Sequence, residues 1–391
     1  MMNMQLVTGN HAAGHAMSLA GEANRSARGA VCGIYPITPQ TEIVEYVARF
    51  PFSKGKVIPV ESEHSAMGVC IGGALNGARS FTASSSNGLA YMAENVMVAA
   101  FYRLPIVMAA VNRTLGPPWN IWADQGDSLM FRDFAWIQFY CDTSQDVADT
   151  SMLAFRVAED PRILLPVMVC MDAFIVSHTS MEIELATQEQ ADEFLPPCEV
   201  PHCIDFNHPV TIGGMTFAQD TLTHRVDLDE AIRRVPAVLE EHRAEFRKVF
   251  GRDVAGALES YRTEDADRIF VASGSISTTL KDLIDEWRAK GEKVGMIRIK
   301  LFRPFPCEEF VRMCGKVRKI GVLDRNYSAG TGGIFWQEVR ACMQGQGDRL
   351  IQGYLTGVTG GDVVPSTVDE VLADLSQRSE AGEPVWKGID Q

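Results

Sequence analysis

Short apolar runs alternate with stretches of helical period over the first 180 residues, the layout of an α/β layer fold. Strands are expected at residues 31–35, 56–60, 80–84, 105–111 and 167–171, with helices at 39–50, 63–78 and 89–103 between them. In the first helix Ile43, Val47 and Phe50 share one face. At its start Thr38 suits the capping position and Pro39 the first helical one, where a missing N–H costs nothing. Segment 63–78, EHSAMGVCIGGALNGA, is crowded with Gly and Ala. Small residues lower helix propensity but let backbones approach closely, so close packing against another helix is expected.

The pattern weakens between Thr187 and His224, where Pro196, Pro197, Pro201 and Pro209 suggest loops, an arm that could wrap a neighbour. An amphipathic helix is expected over 229–250, interrupted by Pro236 and ended by Gly251. A second α/β block starts near Asp267. Its strands are expected at 269–272, 293–299 and 319–323, with a helix carrying Leu280, Leu283, Ile284 and Trp287 after the first. Gly330, Gly332 and Gly333 open a further helix. The chain divides into residues 1–250 and 251–391, without an internal repeat.

Composition narrows the class only slightly. The chain has 391 residues, 46% apolar and 22% charged, as ordinary globular proteins do. A net charge of −14 argues against nucleic acid or an anionic membrane as partner. The start of the chain shows no signal peptide, and no run reaches the roughly 20 apolar residues that span a bilayer. The nine cysteines include no CxxC, so no zinc ribbon or ferredoxin-type cluster is expected within the chain. Free thiols in a reducing cytoplasm are the expectation.

Three candidate positions fall at the carboxyl ends of strands, where an open parallel sheet binds its ligands. They are Thr38, the run Ser84-Ser85-Ser86-Asn87-Gly88, and Arg113. A hydroxyl beside a helix start and a guanidinium that can grip a carboxylate through two hydrogen bonds point to a small anionic ligand. Each also has an ordinary explanation: a helix cap, a strand-end turn, a surface ion pair. Glu63, at the start of a helix, could equally serve the helix dipole. The G-x-S-x-G, G-x-G-x-x-G, Walker and HExxH patterns are all missing.

Long segments carry more. YPITPQTEIVEYVARF, VESEHSAMGVCIGGALNGARSFTASSSNGLAYM, LPIVMAAVNRTLGPPWNIWADQGDSLMFRDFAWIQFY, IKLFRPFP and VLDRNYSAG resemble, in order, the α subunit of pyruvate:ferredoxin oxidoreductase. The wider group is the thiamine-diphosphate-dependent 2-oxoacid:acceptor oxidoreductases. The resemblance implies a pyrimidine-binding domain followed by a transketolase C-terminal-like domain. It also implies oxidative decarboxylation of a 2-oxoacid, with CoA, to an acyl-CoA and CO2. On its motifs, Glu63 of VESEH matches the carboxylic acid that hydrogen-bonds the cofactor's aminopyrimidine ring. Thr38 of YPITP and Arg113 of VNR match residues that hold the substrate, and Ser85 and Asn87 are expected to touch the cofactor.

One departure shapes the partners implied. The chain has no GDG motif; Gly126-Asp127-Ser128 and Gly361-Asp362-Val363 do not replace it. A β subunit is therefore expected to hold the diphosphate and its Mg2+. A γ subunit and a ferredoxin-like δ subunit are expected to complete the complex, the [4Fe-4S] clusters lying in partner chains. Pyruvate is the first choice of substrate. The alternatives are phenylglyoxylate or another larger 2-oxoacid with NAD as final acceptor, and a non-catalytic binding subunit that keeps the fold.

Overall fold

The computed structural model describes residues 3–389. Its main sheet has seven strands in the order Leu301–Arg303, Ile137–Cys141, Val167–Asp172, Ile106–Asn112, Arg79–Ser84, Ala30–Ile34, Gly55–Pro59. All neighbours are parallel except Leu301–Arg303, which runs antiparallel to Ile137–Cys141. Period-two alternation explains the burial on both faces. In Ile106–Asn112, residues Val107, Ala109 and Val111 enter one core, packed by helices Gly9–Ala23 and Ser144–Ala158. Ile106, Met108 and Ala110 enter the other, with helices Glu63–Leu75 and Ala93–Phe101.

The second sheet has six strands in the order Val385–Trp386, Leu350–Leu355, Lys319–Asp324, Arg268–Ala272, Val294–Ile299, Leu258–Tyr261, the last antiparallel. Helices Ile276–Ala289 and Pro365–Gln377 cover one face through Leu280, Trp287, Val371 and Leu375. Its other face, with Ile269, Val271 and Val322, shares a continuous core with Trp136 and Tyr140 of the first unit. A buried ion network reinforces that seam. Arg298 pairs with Asp146, and with Asp142 and Glu259 at 3.1 Å, while Lys300 lies 2.6 Å from Asp146. The two cations hold the Asp146 carboxyl well below the usual carboxylate range against the opposing effect of burial.

Several sequence expectations are corrected. The first expected helix runs Thr41–Arg49, with Gln40 before it donating from its side chain to the Tyr35 carbonyl, so Thr38 is not its cap. Segment 89–103 is two helices, Ser86–Tyr91 and Ala93–Phe101, broken at Met92. The 187–224 stretch contains helix Gln188–Phe194, closed by a Thr187–Gln190 capping box. Helix Ala218–Arg233 begins before His224; Val235–Phe250 follows it and ends on Gly251 at φ 70°. Strand Ile137–Cys141 and helix Ser144–Ala158 escaped notice because both are buried and lack a clear polar face. Cys307 and Cys342 form a disulfide between facing helices Cys307–Cys314 and Ile334–Met343, contrary to the expectation of free thiols throughout. Their sequence separation of 35 gave no hint that the helices are neighbours.

Among the described residues, no helix is long and apolar enough to cross a membrane. The glycines at 330–333 have a structural use. The Asp324 carboxylate, fully buried, accepts from the Phe335 and Trp336 backbone N–H groups, and a side chain at Gly333 would collide with it.

Candidate active site

Strand order places the site. The chain passes from Ala30–Ile34 outward to Gly55–Pro59, then returns to Arg79–Ser84 and continues the other way. That reversal leaves a crevice at the carboxyl ends of Ala30–Ile34 and Arg79–Ser84. A cleft of about 550 Å³ opens there, lined by Thr38, Glu61, Glu63, Tyr91, Arg113, Trp119 and Ile121 among others. Larger hollows occur elsewhere, but this one joins three of the residues singled out from the sequence.

Glu63 opens helix Glu63–Leu75, whose cap is Ser62, accepting from the Ser65 N–H at 3.3 Å. Its side chain is buried, 7% exposed, yet its carboxylate takes no hydrogen bond from any described residue. Beside it the Ser84 hydroxyl is fully buried and also without a partner. Both abut Gly88: a Cβ there would lie 2.5 Å from Glu63 Oε1 and 2.7 Å from Ser84 Oγ. A buried hydroxyl without a partner is costly unless a ligand satisfies it, and the Glu63 carboxylate beside it faces the cleft. An aminopyrimidine supplies ring nitrogen and amine groups of the right kind, so these residues fit thiamine diphosphate's pyrimidine end.

Gly88→Ala tests the cradle. Alanine raises helix propensity, but here it displaces Glu63 at a cost of about 1–3 kcal/mol. Thiamine diphosphate affinity of the assembled complex is expected to fall roughly 5- to 150-fold by calorimetric titration. Unaltered affinity would refute the cradle.

Arg113 follows strand Ile106–Asn112 and is 5% exposed. Its Nη1 donates to the Thr38 carbonyl, and its guanidinium carbon lies 5.0 Å from the Trp119 ring centroid. Burial lowers its pKa from the ordinary value, Asp127 acting in the opposite sense. Among the described residues no carboxylate pairs with the guanidinium, and its buried Nε has no acceptor. A guanidinium in this state has the fork geometry and charge to take a carboxylate. Thr38 is brought to the same cleft and contributes its carbonyl to Arg113.

The other two expected contacts are spent within the protein. Ser85 is fully buried and donates its hydroxyl to the Val111 carbonyl at 2.6 Å. Asn87 is exposed and ties the loop after Arg113 through Gly116: its Nδ2 donates to the carbonyl at 3.0 Å, and its Oδ1 accepts from the N–H at 3.3 Å.

Sequence reasoning passed over Asp127, weighed only as part of a failed GDG. It is fully buried and accepts from the backbone N–H groups of Ser86 at 2.8 Å, Arg113 at 3.0 Å and Ser128 at 2.8 Å, and from Asn112 Nδ2 at 2.7 Å. Thus it pins the strand ends that carry Ser86 and Arg113. Burial pushes its carboxyl up to about 7 despite these donors, and does the same to Asp324. A carboxyl raised on folding destabilises progressively as pH climbs from its unfolded value near 4 to about 7, and by a constant amount above. Asp324→Asn loses one acceptor for the Trp336 N–H at every pH, but its stability relative to the parent should improve from pH 5 to pH 8 by an amount on the order of 1–3 kcal/mol. Denaturant unfolding at the two pH values checks this; a variant that loses ground to the parent from pH 5 to pH 8 would reverse the sign.

Solved structures share the architecture. A 2-oxoglutarate:ferredoxin oxidoreductase from Magnetococcus marinus superposes with a TM-score of 0.72 at 18% identity, over 96% of this chain and 66% of that one. A split-gene transketolase gives 0.56 at 13% identity, over 95% and 97%. The fold, two α/β units in sequence, is thus shared with these two enzymes. The family model described as pyruvate flavodoxin/ferredoxin oxidoreductase, thiamine diphosphate-binding, matches residues 22–244. Pyruvate:ferredoxin oxidoreductase core domain II matches residues 266–368. The chain belongs to this family and is an oxidoreductase subunit. It is 40% identical to pyruvate synthase subunit PorA of Methanothermobacter thermautotrophicus, over 95% of this chain and 96% of that one. It is 41% identical to ketoisovalerate oxidoreductase subunit VorA of Pyrococcus furiosus, over 98% and 97%.

Proposed function

We propose that this chain is the α subunit of a heteromeric 2-oxoacid:ferredoxin oxidoreductase that oxidatively decarboxylates a 2-oxoacid, with CoA, to an acyl-CoA and CO2. The observation that carries this reading is the juxtaposition, in one cleft, of the Glu63 carboxyl, which no described residue hydrogen-bonds, with an Arg113 guanidinium that has no carboxylate partner. When bound, thiamine diphosphate supplies the carbon nucleophile and the electron sink that decarboxylation requires. Glu63 holds the pyrimidine through its carboxyl and keeps a proton at that ring. Arg113 grips the substrate carboxylate, Trp119 shields the guanidinium from water, and the Thr38 carbonyl fixes its angle. Asp127, Ser85 and Asn87 hold these groups in place.

Residues 1–250 form the pyrimidine-binding unit in this reading, and 251–391 the transketolase-like one. The diphosphate and Mg2+ belong to a β subunit and the iron–sulfur clusters to partner subunits, with γ and a ferredoxin-like δ subunit completing the assembly. Pyruvate is the first choice of substrate. Similar identity to a pyruvate synthase and to a ketoisovalerate oxidoreductase makes a branched 2-oxoacid the second. Purifying the native complex and assaying a panel of 2-oxoacids with CoA and a viologen dye decides between them. No turnover with any 2-oxoacid, with cofactor and clusters loaded, would defeat the proposal.

A further inference from the structure

Between Arg113 and Ala123 the chain leaves the sheet as a loop and returns, the two residues forming an antiparallel bridge at its neck. Asn120 organises the inside of this loop. Its Oδ1 accepts from the Trp122 N–H at 2.9 Å and from the Thr114 hydroxyl at 3.0 Å, while the Thr114 N–H donates to the Trp122 carbonyl at 3.1 Å. Trp119 and Ile121, at its tip, line the cleft beside Arg113.

The loop is also held from the other unit. Asn120 Nδ2 donates to the Thr359 carbonyl at 2.8 Å. In return the Thr359 N–H donates to Asp124 Oδ2 at 2.8 Å, and Asp124 Oδ1 accepts from the Gly126 N–H at 2.8 Å. Thr359 adopts a left-handed conformation, φ 54° and ψ 27°, which a β-branched residue rarely takes. Its neighbour Gly360 lies so close to Trp122 that a Cβ would come within 2.1 Å of the tryptophan Cβ. A strained threonine, a glycine without room for a side chain and two hydrogen bonds, across 239 and 235 residues of sequence, all serve one contact.

We propose that the turn Val358–Gly360 is a clasp that sets the substrate loop, making Asn120 and Asp124 positioning residues for the 2-oxoacid. Neither touches substrate; they act through Trp119, Ile121 and the neck next to Arg113. Because loops carry function only when a rigid frame places them, the second unit completes the frame of a site otherwise built on the first. This inference rests on the substrate reading above, deepening it by naming residues that shape the carboxylate end.

The test uses the assembled complex with two variants, Asp124→Asn and Asn120→Asp. Asn120→Asp sets a carboxylate oxygen against the Thr359 carbonyl and removes that hydrogen bond; Asp124→Asn leaves one acceptor for the Thr359 and Gly126 N–H groups, which now compete for it. Hydrogen exchange should show amides of residues 114–124 at least tenfold faster than in the parent. The KM for the preferred 2-oxoacid should rise about tenfold or more, while KM for CoA and thiamine diphosphate affinity stay within twofold. A merely structural weakening would move all three together, and that result overturns the proposal. Unchanged exchange in both variants overturns it too, as does faster exchange with unchanged 2-oxoacid KM. Should neither variant assemble, exchange in the parent decides: Thr359 and Trp122 amides protected at least tenfold relative to open loop support the clasp, and unprotected ones defeat it. A parent complex inactive on every 2-oxoacid would defeat the functional reading, yet exchange still reports on the clasp.

Discussion

Replacing Glu63 with Gln in the assembled complex is expected to lower turnover by about 10²- to 10⁴-fold, the range typical of removing a positioned acid–base group. The substitution keeps shape and helix start, so Ser62 still caps the helix. It removes the carboxyl that lies in the cleft beside Gly88 and Ser84. A glutamine amide still forms a hydrogen bond to the pyrimidine but cannot exchange a proton with it. Cofactor affinity should consequently fall far less than turnover, which calorimetry beside steady-state kinetics will show. If turnover is unchanged, Glu63 leaves the mechanism and a binding subunit that merely keeps the fold becomes the better account.

Arg113→Ala is expected to raise the 2-oxoacid KM strongly and to slow turnover as well. Losing a buried charge that pairs with a carboxylate costs about 2–5 kcal/mol, roughly 30-fold to several thousand-fold in kcat/KM. The guanidinium has no carboxylate partner within the described residues, so the loss falls on the ligand rather than on an internal ion pair. Stability should change little by comparison, because the Asp127 contact is to the backbone N–H and survives the truncation. Arg113→Lys should recover part of the loss, keeping charge but not the two-pronged fork. Steady-state kinetics with unaltered KM in Arg113→Ala would remove the residue from substrate binding.

Much of the fold was legible because it rests on local pattern. The apolar runs that became Ala30–Ile34, Arg79–Ser84 and Ile106–Asn112 are buried on both faces and bounded by turn residues. Boundaries were off where a local rule met a tertiary contact. Thr38-Pro39 has the composition of a helix start, yet Gln40 turns back to the Tyr35 carbonyl and the helix waits until Thr41. Ser85 looked available because a hydroxyl at a strand end often is; Val111, 26 residues on, claims it.

By itself the sequence determined the layer class, the approximate place of most elements, and, through long motifs, the family and three residues of the cleft: Thr38, Glu63 and Arg113. Periodicity and motif order are properties of neighbours along the chain, so they can be read without coordinates. Only the tertiary structure decided that Glu63 meets Gly88 and Ser84, that Asp127 pins Arg113, that Cys307 joins Cys342, and that Thr359 clasps Asn120. These contacts depend on strand order and on the packing of two sheets across one continuous core. Burial without a partner, as at Ser84 Oγ and Arg113 Nε, is defined by everything that surrounds a group and so has no signature in the residues beside it.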